Sequence, residues 1–529
     1  MDFWSDYPHE VLAEALISRM SDEEIYAQIL MFGWAGTEPS DLLNRWVTER
    51  GLGSVKIFGW NTDDTTQVAR SVSSLQGRSQ SRRFKIPLYV ATDQEGGWIR
   101  HVKGDTSNTP GNLAIGASGL PADAWKSGYY ISRELRALGI NMNFAPTVDL
   151  YTNTASSVIG PRSFGADADF GGILGASFAA GSMAAGVLAT AKHFPGHGDT
   201  ELDSHGSLPV IDIALDTLNK RELIPFKYLI AQGIPAIMSG HLSFPKIEGD
   251  GTPASLSKKI LTGILRDELG FQGLVITDDM MMNGATLFAG SLSAAFRRAI
   301  EAGNDIIISS TTAQWNEALW RQNLQLMGTD GAFRERVVSS AKRVLLSKLR
   351  YFKGENPVPL YPDIPRLGEL LPDREGEKFF LTQACRSITL GQGSLPFAPG
   401  AQTPVLLAGQ FPAFFIEGIK RYPQAKFYRF NYNPQPGELS GIGAYLGRIA
   451  GDYAAVIICV ADEGSAEVAS RLRNLGVKVI VLSVLSPVPA MNLSWADTVL
   501  YAYSYSQYSF NAAFGALSGE FVPQGKLPL

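Results

Sequence analysis

Val187-Leu188-Ala189-Thr190-Ala191-Lys192-His193-Phe194-Pro195-Gly196-His197-Gly198-Asp199-Thr200-Glu201-Leu202-Asp203-Ser204-His205 is the stretch from which the fold can be read. Its first five residues are apolar and too few for a helix, so they predict a short buried strand. The segment from Lys192 to His205 holds three of the chain's six histidines, together with three carboxylates, a lysine and two glycines. A rigid strand opening into a polar, glycine-hinged loop suits catalysis, because the loop can carry groups that move protons. His193 and His197 have the i, i+4 spacing of a zinc-binding helix. Pro195 and Gly196 lie between them, so no helix survives there and that geometry fails. A loop that merely caps a strand rarely concentrates His, Asp and Lys in this way.

Working outward, seven more short apolar runs end in polar or glycine residues. They cover 29–32, 54–58, 87–91, 140–144, 236–239, 274–276 and 305–308. Helical periodicity fills most of the gaps, over 122–138, 215–232 (bent or restarted at Pro225) and 258–269. Near the N-terminus, 10–19 reads as a helix, and Ser21 with Glu24 forms a capping box for a second one. Continuous apolar runs alternating with helices predict parallel strands buried on both faces. Eight such units in about 330 residues predict a (β/α)8 TIM-like barrel. Asp93, His193, His241 and Asp278 each follow the apolar run of their unit. A barrel would bring them together on its C-terminal rim, where active sites sit.

The helix expected over 332–351 closes this domain, and Pro357, Pro359, Pro362 and Pro365 then crowd a stiff linker or strap. Strand candidates at 405–407, 426–429, 454–460, 478–482 and 498–502, with a helix over 465–475, predict a smaller α/β sandwich domain. The expected division is a catalytic barrel over 1–350, a Pro-rich linker over 351–375 and the sandwich over 376–529. Gly441-Ile442-Gly443 lacks the third glycine of a nucleotide-binding turn.

Composition narrows the function. The 529 residues are 45% hydrophobic and 18% charged, as in a globular protein, and the formal net charge is −5. That balance argues against nucleic acid or an anionic membrane surface as partner. Two cysteines, Cys385 and Cys459, are too few for a disulfide framework. The acidic N-terminus does not read as an export signal, and no run approaches the length of a membrane span, so the expected location is cytoplasmic.

Several motifs resemble glycoside hydrolase family 3, specifically its β-N-acetylhexosaminidase branch. They are Asp93-Gln94-Glu95-Gly96-Gly97, Asn143-Phe144-Ala145-Pro146, Ile159-Gly160-Pro161-Arg162-Ser163-Phe164-Gly165, Lys192 to Thr200 with Asp203-Ser204-His205, and Ile264-Leu265-Arg266 continuing to Thr277-Asp278-Asp279. The closing Gly525-Lys526-Leu527-Pro528-Leu529 resembles the family's sandwich domain more weakly. The resemblance implies a retaining mechanism with Asp278 as nucleophile, His205 as acid/base and Asp203 as its partner. A carboxylate two residues from the histidine can orient the imidazole and favour its charged form. Gly196, Gly198 and Gly206 would let the loop swing between steps.

The resemblance further implies that Asp93, Arg162, Lys192 and His193 hold the sugar hydroxyls and the 2-acetamido group. A salt bridge within the rim is the plainer reading of Arg162, and a buried ion pair that of Lys192. The sequence departs from the family at Trp98 and His101, where arginines are usual, and at Met281, where a small residue is usual. Arg100 is a candidate replacement for one of the arginines.

The expected activity is exo-acting β-N-acetylglucosaminidase on a GlcNAc-containing oligosaccharide or muropeptide, with no metal and no organic cofactor. A GlcNAc-releasing phosphorylase and a sugar-binding protein without turnover are the alternatives. The sequence does not decide the oligomeric state.

Overall fold

The computed structural model describes residues 1–156, 158–200, 208–399 and 403–529. Each of the eight apolar runs carries one strand of a single parallel sheet. The strands are β1 (Leu30–Phe32), β2 (Ser54–Lys56), β3 (Tyr89–Thr92), β4 (Met142–Asn143), β5 (Leu188–Phe194), β6 (Ala236–Ser239), β7 (Leu274–Thr277) and β8 (Ile307–Ser309). They pair in chain order from β1 to β7, and β1 also pairs with β8. Closure comes from a parallel bridge between Ile276 and Ile306, with the Asp305 N–H donating to the Val275 carbonyl at 2.7 Å. The sheet is therefore a barrel. Its strands are almost wholly buried because side chains fill the inside and helices cover the outside.

The covering helices follow the apolar periodicity. Pro121–Ala137 and Ala168–Ala184 flank β4, and Gly331–Phe352 closes the ring. At the N-terminal capping box, the Glu24 N–H donates to Ser21 Oγ at 3.3 Å and the Ser21 N–H to Glu24 Oε2 at 3.0 Å. The expected bend at Pro225 falls earlier. One helix spans Leu215–Lys220 and the next Leu223–Ala231, with the break at Arg221 and Glu222. Pro225 sits in the first turn of the second helix, where its missing N–H costs nothing. The segment Lys259–Glu268 is helical with wider i+5 bonding, as in the Leu269 N–H to Ile264 carbonyl bond at 2.9 Å.

The N-terminal mouth of the barrel is sealed by charge. Asp305, fully buried, meets Arg266 at 2.6 Å, Arg343 at 2.7 Å and Arg336 at 3.4 Å. Arg266 also caps the carbonyls of Phe271 and Gly273, and Arg336 those of Ile300 and Asn304.

The proline-rich stretch lies along the barrel, where Val358 and Leu367 join its hydrophobic core. Beyond it stands a six-stranded sheet: β9 (Thr389–Gln392), β10 (Leu406–Gly409), β11 (Lys426–Arg429), β12 (Ala455–Val460), β13 (Lys478–Ser483) and β14 (Thr498–Tyr501). Their order is β9-β14-β13-β12-β10-β11, parallel except for β9. The five expected strands are present. The sequence reading lacks β9, whose exposed Leu390 and Gly391 give no buried apolar run. The helix expected over 465–475 is shorter, Glu463–Ser470.

This second unit braces the barrel's rim. Tyr151 Oη and Ser486 Oγ are 2.7 Å apart, and Ser504 Oγ donates to the Thr109 carbonyl at 3.4 Å. The Lys526 N–H donates to the Ala117 carbonyl, and the Pro528 carbonyl accepts from the Ala166 N–H, both at 3.0 Å. Among the described residues no helix is long and apolar enough to cross a membrane.

Candidate active site

The C-terminal rim gathers the charged residues that succeed the strands. Asp93, just past β3, receives Lys192 Nζ on Oδ1 at 2.6 Å and Lys56 Nζ on Oδ2 at 2.8 Å. His101 Nδ1 stands 3.5 Å from the same carboxylate. Lys192, in β5, also reaches Glu95 Oε1 at 2.6 Å. Arg162 grips Glu95 with two bonds, Nε to Oε2 at 3.0 Å and Nη2 to Oε1 at 2.8 Å. Such fork-to-fork pairing fixes direction as well as distance.

This network is nearly dry: Lys192 is 2% exposed and Glu95 1%. Burial alone would raise both carboxyls. Lys192, Lys56 and His101 instead hold Asp93 well below its ordinary value. Arg162 and Lys192 hold Glu95 at about 2. Burial would lower the Lys192 ammonium, but Asp93 and Glu95 raise it. Burial and the nearby cations push His101 down to about 4, against the pull of Asp93, so the ring is neutral at pH 7.

A second cluster hangs on Asp149, which is 1% exposed. Its carboxylate accepts from His193 Nδ1 at 2.6 Å, from the His193 N–H at 3.1 Å and from the His197 N–H at 2.7 Å. His193 Nε2 is thereby aimed toward Arg162, whose Nη2 is 3.4 Å away. A carboxylate behind an imidazole fixes both the tautomer and the ring plane. Of the three glycines expected to hinge this loop, Gly206 lies outside the described residues, and Gly196 and Gly198 are closely packed. A Cβ on Gly198 would overlap the Leu150 carbonyl oxygen, and one on Gly196 would lie 2.9 Å from Glu222 Cβ.

Asp278 comes directly after β7, its backbone fixed by a bond from its N–H to the Ser239 carbonyl at 3.0 Å. The residue is partly exposed at the rim. Burial works to raise its carboxyl. His193, His241, Lys56 and the Asp279 N–H outweigh that and hold it at about 2, ionised across the neutral range. Asp279 takes the capping role, accepting from the Met281 N–H at 3.0 Å and the Ser310 N–H at 2.9 Å. Asp278 is thus left with an accessible carboxylate. His241 is buried beside it, with Nε2 donating to the Asp279 carbonyl at 3.0 Å and Nδ1 accepting from Ser255 Oγ at 2.7 Å. Burial lowers its pKa, which suits that neutral tautomer.

The structure therefore brings Asp93, Arg162, Lys192, His193 and Asp278 to one rim. The expected acid/base pair, His205 and Asp203, lies outside the described residues. Arg162 and Lys192 do form buried ion pairs, the plainer reading of each, while also lining the site. Arg100 Nη1 donates to the Thr106 carbonyl at 3.4 Å, and His101 is the residue that stands at Asp93. Met281 is 42% exposed.

Sequence reasoning passed over Lys56, Glu95 and Asp149 as site residues. Lys56 had a signal, a charge inside a buried apolar run. Asp149 had none, since it lies six residues beyond β4 and returns only through tertiary structure. Among the described residues no group of three or more His, Cys, Asp or Glu side chains is placed to hold a metal ion.

Comparison with known proteins identifies the family. The family profile described as "Glycosyl hydrolase family 3 N terminal domain" matches residues 20–346. A protein named beta-hexosaminidase A from Pseudoalteromonas piscicida is 36% identical over 287 residues, covering 51% of this chain and 47% of that one. A beta-hexosaminidase from Thiobacillus denitrificans is 35% identical over 285 residues, covering 53% of this chain and 77% of that one. The chain thus spans about half the length of the first relative and over three quarters of the second. The solved structure of a glycoside hydrolase family 3 beta-N-acetylglucosaminidase from Paenibacillus sp. superposes with a TM-score of 0.87 at 31% identity. It covers 96% of this chain and 98% of that one.

Proposed function

Because the chain belongs to glycoside hydrolase family 3, we propose that it is an exo-acting, retaining β-N-acetylglucosaminidase that removes terminal β-linked GlcNAc from short oligosaccharides. The observation that carries the reading is the accessible, ionised Asp278 beside a dry network of sugar-facing charges. A carboxylate held rigidly at a strand end is suited to attack an anomeric carbon. The relatives named beta-hexosaminidase support the choice of sugar.

In the first step an Asp278 oxygen bonds to C1 as the C1–O bond to the aglycone breaks. The leaving oxygen takes a proton from His205, held charged by Asp203. In the second step water attacks C1, gives its proton to neutral His205, and frees the Asp278 carboxylate. A histidine in place of a second carboxylic acid sets this branch apart from most retaining glycosidases. Asp93, Lys192 and the Glu95–Arg162 pair hold the ring hydroxyls. His193, aimed by Asp149, faces the same pocket. Fixed donors in a water-poor site gain strength without reorganising during the reaction.

The test is release of 4-nitrophenol from its β-GlcNAc glycoside, beside the β-glucoside, with and without phosphate. Asp278→Ala is expected to lower kcat by roughly 10⁴-fold or more with the thermal midpoint preserved. A GlcNAc-1-phosphate product that appears only with phosphate would replace hydrolysis by phosphorolysis. No turnover of any β-GlcNAc glycoside would sink the proposal.

A further inference from the structure

Every residue in the proposed mechanism belongs to the barrel, yet two turns of the second unit press on the loops that hold them. β13 and β14 are parallel neighbours, so the chain leaves both at the same end of the sheet. Functional loops of parallel sheets gather at that end. After β13 come Val484, Leu485 and Ser486, and after β14 come Ala502, Tyr503 and Ser504. Leu485 has a φ of 60° and Tyr503 a φ of 61°. Left-handed backbone is costly for a bulky side chain and persists only where the surroundings impose it. In both turns the serine after the strained residue reaches the barrel.

Ser486 Oγ lies 2.7 Å from Tyr151 Oη. Tyr151 belongs to the barrel by chain, but its ring lies in one buried cluster with Val481, Val499 and Tyr503 of the second unit. It comes two residues after Asp149, the carboxylate that aims His193. The backbone between them is cross-tied. The Tyr151 N–H donates to the Gly165 carbonyl at 3.0 Å, and Ser163 Oγ donates to the Asp149 carbonyl at 2.6 Å. Arg162 precedes that segment. Its carbonyl accepts from Asn112 Nδ2 at 2.7 Å, and Leu113 and Ala114, next along, lie in the same buried cluster as Tyr151.

The other turn makes a longer contact. Ser504 Oγ donates to the Thr109 carbonyl at 3.4 Å. Thr109 Oγ1 accepts from the Gly97 N–H at 3.0 Å, two residues past Glu95. The shorter contact therefore supports Asp149 and His193, and the longer one the loop of Glu95.

Resting on the β-N-acetylglucosaminidase reading, we propose that the second unit is a positioning part of the active site, with Ser486 and Tyr151 the residues through which it holds Asp149 and so aims His193. Neither residue touches the sugar. An imidazole works on a substrate only while the carboxylate behind it stays in place, and packed, hydrogen-bonded neighbours keep it there. The chain beyond the barrel thereby serves the reaction without supplying a reacting group.

The experiment measures kcat/KM on 4-nitrophenyl β-GlcNAc, with the thermal midpoint, for the wild type, Ser486→Ala, Tyr151→Phe and Asp149→Asn. Two double variants join them, Ser486→Ala with Tyr151→Phe and Ser486→Ala with Asp149→Asn. Ser486→Ala and Tyr151→Phe are each expected to lower kcat/KM roughly 2- to 10-fold, as for one lost neutral hydrogen bond. Together they are expected to cost no more than either alone, and Ser486→Ala to add nothing once the Asp149 carboxylate is gone. His193→Gln takes the place of Asp149→Asn if that variant does not fold. An equal fall with and without the Asp149 carboxylate assigns a purely structural contact and overturns the proposal. So does an unchanged kcat/KM in Ser486→Ala. If the wild type turns over no β-GlcNAc glycoside, the hydrolase reading fails, and calorimetry with free GlcNAc decides the positioning role. Weaker binding in Ser486→Ala supports it. Unchanged binding, or none in the wild type, overturns it.

Discussion

Two buried carboxylates, one at each end of the barrel, each meet three nitrogen-bearing side chains, yet their surroundings differ. Asp93 on the C-terminal rim faces Lys56, Lys192 and His101. Asp305 at the N-terminal mouth faces Arg266, Arg336 and Arg343. What separates them is where the remaining hydrogen-bonding capacity goes. Around Asp305 the guanidiniums spend it on the backbone carbonyls of Phe271, Gly273, Ile300 and Asn304, so the cluster ties strand starts to helix ends. Around Asp93 the donors are lysines and a neutral histidine, and the network runs through Glu95 and Arg162 to His193, which lies near Asp278. Charge count alone does not mark a functional site. The polar reach left over for a ligand does.

Substitution can break this contrast. Asp305→Ala leaves three guanidiniums crowded without a counter-charge. A loss of roughly 3–5 kcal/mol is expected from the removal of one partner in a buried ionic cluster. Chemical denaturation measures that loss, and turnover per folded molecule should stay near wild type. Asp93→Asn should behave in the opposite way. It keeps the shape, leaves Lys192 paired with Glu95, and is expected to cost roughly 10²- to 10³-fold in kcat/KM with a smaller loss of stability. Should Asp93→Asn unfold the protein as readily as Asp305→Ala while its folded fraction turns over normally, the rim network is structural and the contrast collapses.

Much of this was legible in the sequence, for a physical reason. A parallel barrel strand is buried on both faces, so it writes itself as an uninterrupted apolar run, and the residue after the run is on the rim. That is why Asp93, His241 and Asp278 could be placed from sequence, and Lys192 and His193 beside them. The rule fails where a functional group departs from that position. Lys56 lies inside its strand, and Asp149 comes back to His193 only after five residues beyond β4. It also fails for edge strand β9, which is half exposed and has no apolar run to betray it. Sequence also does not say why a glycine is there: Gly198 is needed for close approach to the Leu150 carbonyl, and Gly196 also holds a positive φ of 133°.

Glu222 sharpens the comparison from a third side, because it is a buried carboxylate with, among the described residues, a single cation to lean on. Its side chain is 1% exposed beneath Gly196. Arg221 reaches its Oε1 at 2.5 Å but is shared with Asp199, which Nη2 contacts at 2.6 Å. Burial, with Asp149 and Asp199 adding negative charge, outweighs Arg221 and pushes the carboxyl up to about 7 from an ordinary 4.5. The folded state therefore holds this proton more tightly than the unfolded chain. The stabilisation is fully present below about pH 4.5 and is lost as the pH rises through about 7. Glu222→Gln removes the titration. Its stability relative to wild type is expected to improve by on the order of 3 kcal/mol between those limits. Asp93, Glu95 and Asp278 pull the absolute profile the other way, since their carboxyls sit low in the folded state. The difference between the two proteins isolates Glu222. Urea unfolding of both at pH 4.5 and pH 8 measures it. Parallel profiles would mean that Arg221 satisfies Glu222 as fully as three neighbours satisfy Asp93, and that one shared cation is enough.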